Sequence, residues 1–138
     1  MHLFYTYNVI NMKAMFQKCE ELEYLDLTKF EPPNVINMNR MFSECFKLKE
    51  IKGTNKINTN NVINMNSMFQ DCNQLEFLDL SNFDTSKVTD MEKMFNKCHA
   101  LREIKGTNKI NTSNVINMNS MFQDCNQLEF LDLSNFDT

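Results

Sequence analysis

An α/β repeat solenoid is the fold class the sequence predicts: a single domain over residues 1–138, made of five coils of 26 to 27 residues. Short parallel strands are expected on its concave face and short helices on its convex face. Three observations predict it. One stretch, Asn61 to Leu80, recurs along the chain, with copies starting near Asn8, Asn34, Asn61, Lys87 and Asn114. Within each copy apolar residues fall at i, i+3, i+4 and i+7, as at Met65, Met68, Phe69 and Cys72, which is one face of a helix. Then follows Leu75-Glu76-Phe77-Leu78-Asp79-Leu80, which alternates at the strand period of two.

The helix comes first in each coil. Asn11, Asn37, Asn64, Asp90 and Asn117 stand just before it, and each is a preferred N-cap whose side-chain oxygen accepts an orphaned backbone N–H. Two turns of helix are marginal alone in water, so the helix must dock on the strand that follows. Strands stack at roughly 4.8 Å and helices at about 8 to 10 Å. That mismatch predicts a curved, horseshoe-like stack.

The coils come in two kinds. The first, third and fifth carry Leu-Asp-Leu-[Ser/Thr]-x-Phe, as at Leu78 to Phe83, and are called odd. The second and fourth carry Ile-Lys-Gly-Thr-Asn-Lys-Ile, at Ile51 to Ile57 and Ile104 to Ile110, and are called even. The extra residue and the Gly predict a bulge in the even strands. Residues Glu50 to Thr85 and Glu103 to Thr138 are the same text except for Asn60 against Ser113. The duplicated unit is therefore a pair of coils. Neither end carries the polar cap that solenoids need, so the sequence reads as a segment of a longer array whose uncapped coils could associate end to end.

Composition narrows the function. A net charge of -4 with no polybasic run argues against nucleic acid as a partner. Apolar runs fall far short of the roughly 20 residues that span a bilayer, so no direct membrane insertion is expected. The first residues, Met1 to Asn8, lack the features of a secretory signal. Five cysteines at one phase per coil, Cys19, Cys45, Cys72, Cys98 and Cys125, read as buried free thiols, and the methionines of the helix face as core rather than copper ligands. No nucleophile, base and orienter come together, His2 and His99 belong to no recurring pattern, and no cofactor or metal is expected. The chain is read as no enzyme.

Stacking creates outward columns. Tyr24, Glu50, Phe77, Glu103 and Phe130 form one, and Asp26, Lys52, Asp79, Lys105 and Asp132 form the next. Charge alternates along the second, and along Glu23, Lys49, Glu76, Arg102 and Glu129 just before the strand. Opposite charges on neighbouring strands contribute roughly 0.2 to 1 kcal/mol each, enough to specify register. Aromatics amid charges also suit a binding face. A threonine column, Thr6, Thr59, Thr85, Thr112 and Thr138, fits turn hydroxyls bonding backbone better than an ice-binding surface.

From Leu78 to Leu101 the text Leu-Asp-Leu-Ser-Asn-Phe-Asp-Thr-Ser-Lys-Val-Thr-Asp-Met-Glu-Lys-Met-Phe-Asn-Lys-Cys-His-Ala-Leu resembles the repeat of BspA-like leucine-rich-repeat surface proteins, including their mycoplasma-type repeats. The resemblance implies a leucine-rich-repeat-like fold, display at the cell surface or outside the cell, and adhesion to a protein of a host or neighbouring cell. It brings no catalytic residue. The even coils depart from the pattern with Ile-Lys-Gly-Thr, and the first with Phe30-Glu31-Pro32-Pro33. A non-enzymatic adhesive array using the concave face is the leading expectation; a structural spacer without a ligand, or a cytoplasmic chain, is the alternative.

Overall fold

The computed structural model describes residues 11–32 and 34–137. The readings made on His2, on the first coil's start near Asn8, and on Thr6 and Thr138 lie outside the described residues. Four three-residue strands form: β1 (Tyr24–Asp26), β2 (Glu50–Lys52), β3 (Phe77–Asp79) and β4 (Glu103–Lys105). Two 3-10 turns, Thr54–Lys56 and Thr107–Lys109, follow the even strands.

This corrects the expected fold class. Among the described residues there is no α-helix, and the strands make two separate two-stranded parallel sheets, β1 with β2 and β3 with β4. The α/β solenoid with helices on a convex side, leucine-rich-repeat-like, is not what forms. In place of each helix the chain makes consecutive tight turns. Met68, Gln70 and Cys72 donate their N–H groups to the carbonyls three residues back, at 3.2 Å. The intervening N–H groups, of Met65, Ser67, Phe69 and Asp71, leave the unit and donate to Asp90, Glu92, Met94 and Asn96 at 2.8 to 3.0 Å. A helix would need its N–H groups to reach the carbonyl four residues back in the same segment.

Such turns demand positive φ. Ser67 (54°) and Asp71 (59°) are the third residues of the turns Met65–Met68 and Phe69–Cys72, the position that type II turns place in the left-handed region. Ala14 and Lys18, Arg40 and Glu44, Lys93 and Lys97, and Ser120 and Asp124 repeat the arrangement, without a single glycine or asparagine. Each costs roughly 1–2 kcal/mol. The four cross-unit hydrogen bonds at each junction, about 0.5–1.5 kcal/mol apiece net, offset the two left-handed residues, and apolar burial decides the balance.

The expected N-caps serve the turns instead. Asn64 Oδ1 accepts the Asn66 N–H at 2.9 Å, and Asn11, Asn37, Asp90 and Asn117 do the same two residues on. These residues also bridge in parallel from Asn11 through Asn37, Asn64 and Asp90 to Asn117. That single-residue ladder links all five units, whereas the strands pair only two by two.

The apolar face of the turns is the core. Phe16, Phe42, Phe69, Phe95 and Phe122 stack in one column, with ring centroids 5.4 to 5.7 Å apart and planes within 10°. Each stacked pair adds about 0.5–1.5 kcal/mol beyond its buried area. Met38, Met41, Met65, Met68 and Met91 are fully buried beside them. The described cysteines are all free. Each of Cys45, Cys72, Cys98 and Cys125 points its thiol at the Phe carbonyl of the preceding unit, 3.0 to 3.2 Å away. Burial pushes Cys45 and Cys125 up to about 11 and Cys72 and Cys98 well above their ordinary value, so these thiols stay protonated.

The bulge expected at the glycines is absent. Gly53 (φ 82°) and Gly106 (φ 89°) stand just past β2 and β4, in the left-handed conformation that opens each 3-10 turn. The extra residue is absorbed in that turn. There Thr54 donates its hydroxyl to the Asp79 carbonyl at 2.7 Å. In the β1–β2 pair the corresponding carbonyl, Lys52, receives the Leu27 N–H at 2.8 Å. The hydroxyl thus takes the acceptor that a continuing ladder would use, and the sheet breaks between β2 and β3.

Candidate functional site

The strand pairs carry most of the residues expected on a binding face. Parallel register sets Tyr24 beside Glu50 and Asp26 beside Lys52, then Phe77 beside Glu103 and Asp79 beside Lys105. Phe130 and Asp132 lie outside any strand. The aromatics project into solvent, Tyr24 being 62%, Phe77 46% and Phe130 76% exposed.

Charges on this face answer one another across units. Lys49 Nζ lies 2.7 Å from Glu23 and 5.8 Å from the centre of the Tyr24 ring. Lys47 reaches Glu21 at 2.6 Å and Lys105 reaches Asp79 at 3.9 Å. The bond from Lys49 and its charge hold Glu23 below the usual carboxylate range and raise Lys49. The Asp column has a second task that charge alternation does not reveal. Asp26 accepts the hydroxyl and the N–H of Thr28, and Asp79 those of Ser81, closing the turn after each odd strand. The Thr28 bonds lower Asp26; at Asp79 burial works in the opposite sense, and the Ser81 bonds with Lys105 outweigh it.

Where the sheet breaks, a furrow of about 520 Å³ opens between β2 and β3, with Glu50, Lys52, Asn55, Phe77 and Asp79 on its walls. A smaller one, lined by Glu103, Lys105, Asn108, Phe130 and Asp132, recurs one pair of units later. Both are walled by charge and amide with one aromatic each. Among the described residues no group of three His, Cys, Asp or Glu is placed to hold a metal ion. Nor, among the described residues, is any helix long and apolar enough to cross a membrane. His99 Nδ1 sits 3.0 Å from the Asp124 carbonyl.

The described threonines of that column, Thr59, Thr85 and Thr112, lie inside. Thr59 and Thr85 are buried, donate their hydroxyls to the Asp84 and Asn111 carbonyls, and accept the N–H groups of the same residues. One exposed column was not read from the sequence: Ile36 at 41%, Ile63 at 45% and Ile116 at 89%. Its signal was the Val-Ile step before each Asn, since Val35 and Val62 are buried and the next residue faces out. Thr89 takes that place in the fourth unit and lines a furrow with Ile63, Lys87 and Ile116.

One family model, described as Mycoplasma protein of unknown function, DUF285, matches residues 1–77 and again 63–138. The chain belongs to the DUF285 family. The two matches overlap and together run the length of the sequence. No curated protein and no solved structure matches the chain.

Proposed function

We propose that this DUF285 chain is a non-enzymatic repeat protein of the cell surface that binds a protein of a host or neighbouring cell through its strand face. Tyr24, Phe77 and Phe130, exposed at a regular interval amid Glu50, Lys52, Glu103 and Lys105, carry the reading. Aromatic anchors ringed by charge are what interface hot spots are made of. Kinship with BspA-like leucine-rich-repeat surface proteins, suggested by Leu78 to Leu101, belongs to the same proposal, and membership in a Mycoplasma family supports its mycoplasma-type part. Nucleic acid and bilayer have no role in it.

Joint replacement Tyr24→Ala, Phe77→Ala and Phe130→Ala is expected to weaken attachment to cell-surface protein at least about tenfold. Folding is expected to hold, because exposed positions cost within about 0.5 kcal/mol each. Attachment and unfolding are measured on the same preparation. Undiminished attachment by the folded variant removes the strand face from the mechanism.

A second reading, a spacer without a ligand, is favoured by one observation: Lys49, Lys47 and Lys105 are already paired with Glu23, Glu21 and Asp79 within the chain. On that reading any function depends on the number of units and not on the aromatics.

A further inference from the structure

The second and third units are neighbours whose strands, β2 and β3, do not pair. The furrow of about 520 Å³ between them therefore lies inside the array, bounded by described units on both sides. Ile51 and Leu78, the inward residues of the two strands, are buried, so the furrow is a shallow trough closed below by the core. On the β3 side Phe77 lines it with nearly half its surface exposed, and the β2 side supplies Glu50, Lys52 and Asn55. Asn55 is fixed there by donating from Nδ2 to Asp79 Oδ2 at 3.2 Å, which leaves its second N–H and its oxygen for a ligand. Among the described residues the Glu50 and Lys52 side chains make no hydrogen bond or ion pair, whereas Lys49 is committed to Glu23 at 2.7 Å.

This chemistry excludes several occupants. An anionic group would meet Glu50, Glu76 and Asp79 with Lys52 as the only uncommitted base on the walls. An apolar molecule would bury those same charges without partners, which is costly. An extended peptide cannot join the sheet here, because the Thr54 hydroxyl already holds the Asp79 carbonyl at 2.7 Å. What fits is a neutral molecule with one apolar face and a rim of hydroxyls, each both donor and acceptor. We propose that the furrow between β2 and β3 binds a neutral pyranose unit of an oligosaccharide. The C–H face of the sugar would lie on the Phe77 ring, whose face carries partial negative charge, and its hydroxyls would meet Asn55, Glu50 and Lys52. Glu103, Lys105, Asn108 and Phe130 repeat the set in the corresponding furrow, two strand spacings or about 10 Å away. Two sugars of one chain can then be held together, the second at high effective concentration. This site shares its aromatics with the protein-binding face proposed above and goes beyond it in ligand.

The test titrates the full chain with cellotetraose, chitotetraose or mannotetraose and follows the Asn55 side-chain amide and the Phe77 backbone amide by NMR. Saturable shifts at both are expected with at least one of the three. Phe77→Ala is expected to weaken that binding about tenfold or more, and so is Asn55→Ala, which leaves the ring in place. Phe77→Tyr, which keeps the platform, and Ile63→Ala, which lies outside the furrow, are expected to change it by no more than about twofold. Saturation by none of the three sugars overturns the proposal, as do shifts that survive both alanine variants. So does tetragalacturonate binding in their place, which would make the ligand an anion. Attachment to cell-surface protein is a separate readout. If the triple alanine variant loses attachment while no sugar binds, the protein-binding face stands and the sugar site falls; sugar binding with attachment undiminished does the reverse.

Discussion

Replacing Gly53 with alanine is expected to destabilise the chain by about 3–5 kcal/mol. A Cβ at this position would lie 2.6 Å from Thr28 N and 2.8 Å from Leu27 C, both backbone atoms that cannot swing aside as a side-chain tip can. The left-handed φ of 82° adds roughly 1–2 kcal/mol for any residue with a Cβ. Relief requires β1 and the 3-10 turn to move apart, which breaks the Leu27 to Lys52 bond and exposes Ile51. Against a typical stability of about 5–15 kcal/mol that is a large fraction. Urea unfolding of the variant measures it; a loss below about 1 kcal/mol would mean that the odd and even units are not packed as described.

Phe69→Ala is expected to cost about 3–5 kcal/mol, with Phe122→Ala costing less than half as much. Phe69 is fully buried and stacks at 5.4 Å on Phe42 and 5.7 Å on Phe95. Its removal leaves a gap in the middle of the column, with no neighbour free to fill it because the next rings are fixed by their own turns. Phe122 is half-buried and stacks on Phe95, with a tilted contact to Phe136 at 6.5 Å. Equal losses at the two positions would contradict a core whose stability comes from contacts between neighbouring units.

Much of this order was legible in the sequence, and the failures have definite causes. The alternation of Asp26 with Lys52 and of Asp79 with Lys105 predicted the register that β1–β2 and β3–β4 adopt. The helix misled because its pattern is not unique to a helix. Met65, Met68, Phe69 and Cys72 satisfy i, i+3, i+4, i+7, but turns repeating every four residues bring Met65 with Phe69 and Met68 with Cys72 to one side just as well. Nothing local at Ser67 or Asp71 advertises positive φ; the cross-unit bonds impose it.

The strands were overestimated for a related reason. Alternation in Leu75–Leu80 extends over six residues, yet β3 is only three residues long, and the Thr54 hydroxyl bound to the Asp79 carbonyl stands where pairing of β2 with β3 would continue the sheet. On the candidate face, Tyr24, Phe77 and Phe130 could be read as outward from alternation alone. The furrows beside Phe77 and Phe130 could not, since they arise from the 3-10 turns that follow Gly53 and Gly106.

Hydrogen-bond scalar coupling across the Phe69 amide tests the central claim, that each unit is held to the next by turns and not built on a helix. The structure predicts coupling from the Phe69 nitrogen to the Met94 carbonyl carbon, 25 residues ahead, across the 2.9 Å bond between them. Coupling instead to the Met65 carbonyl, four residues back as a helix requires, would contradict it.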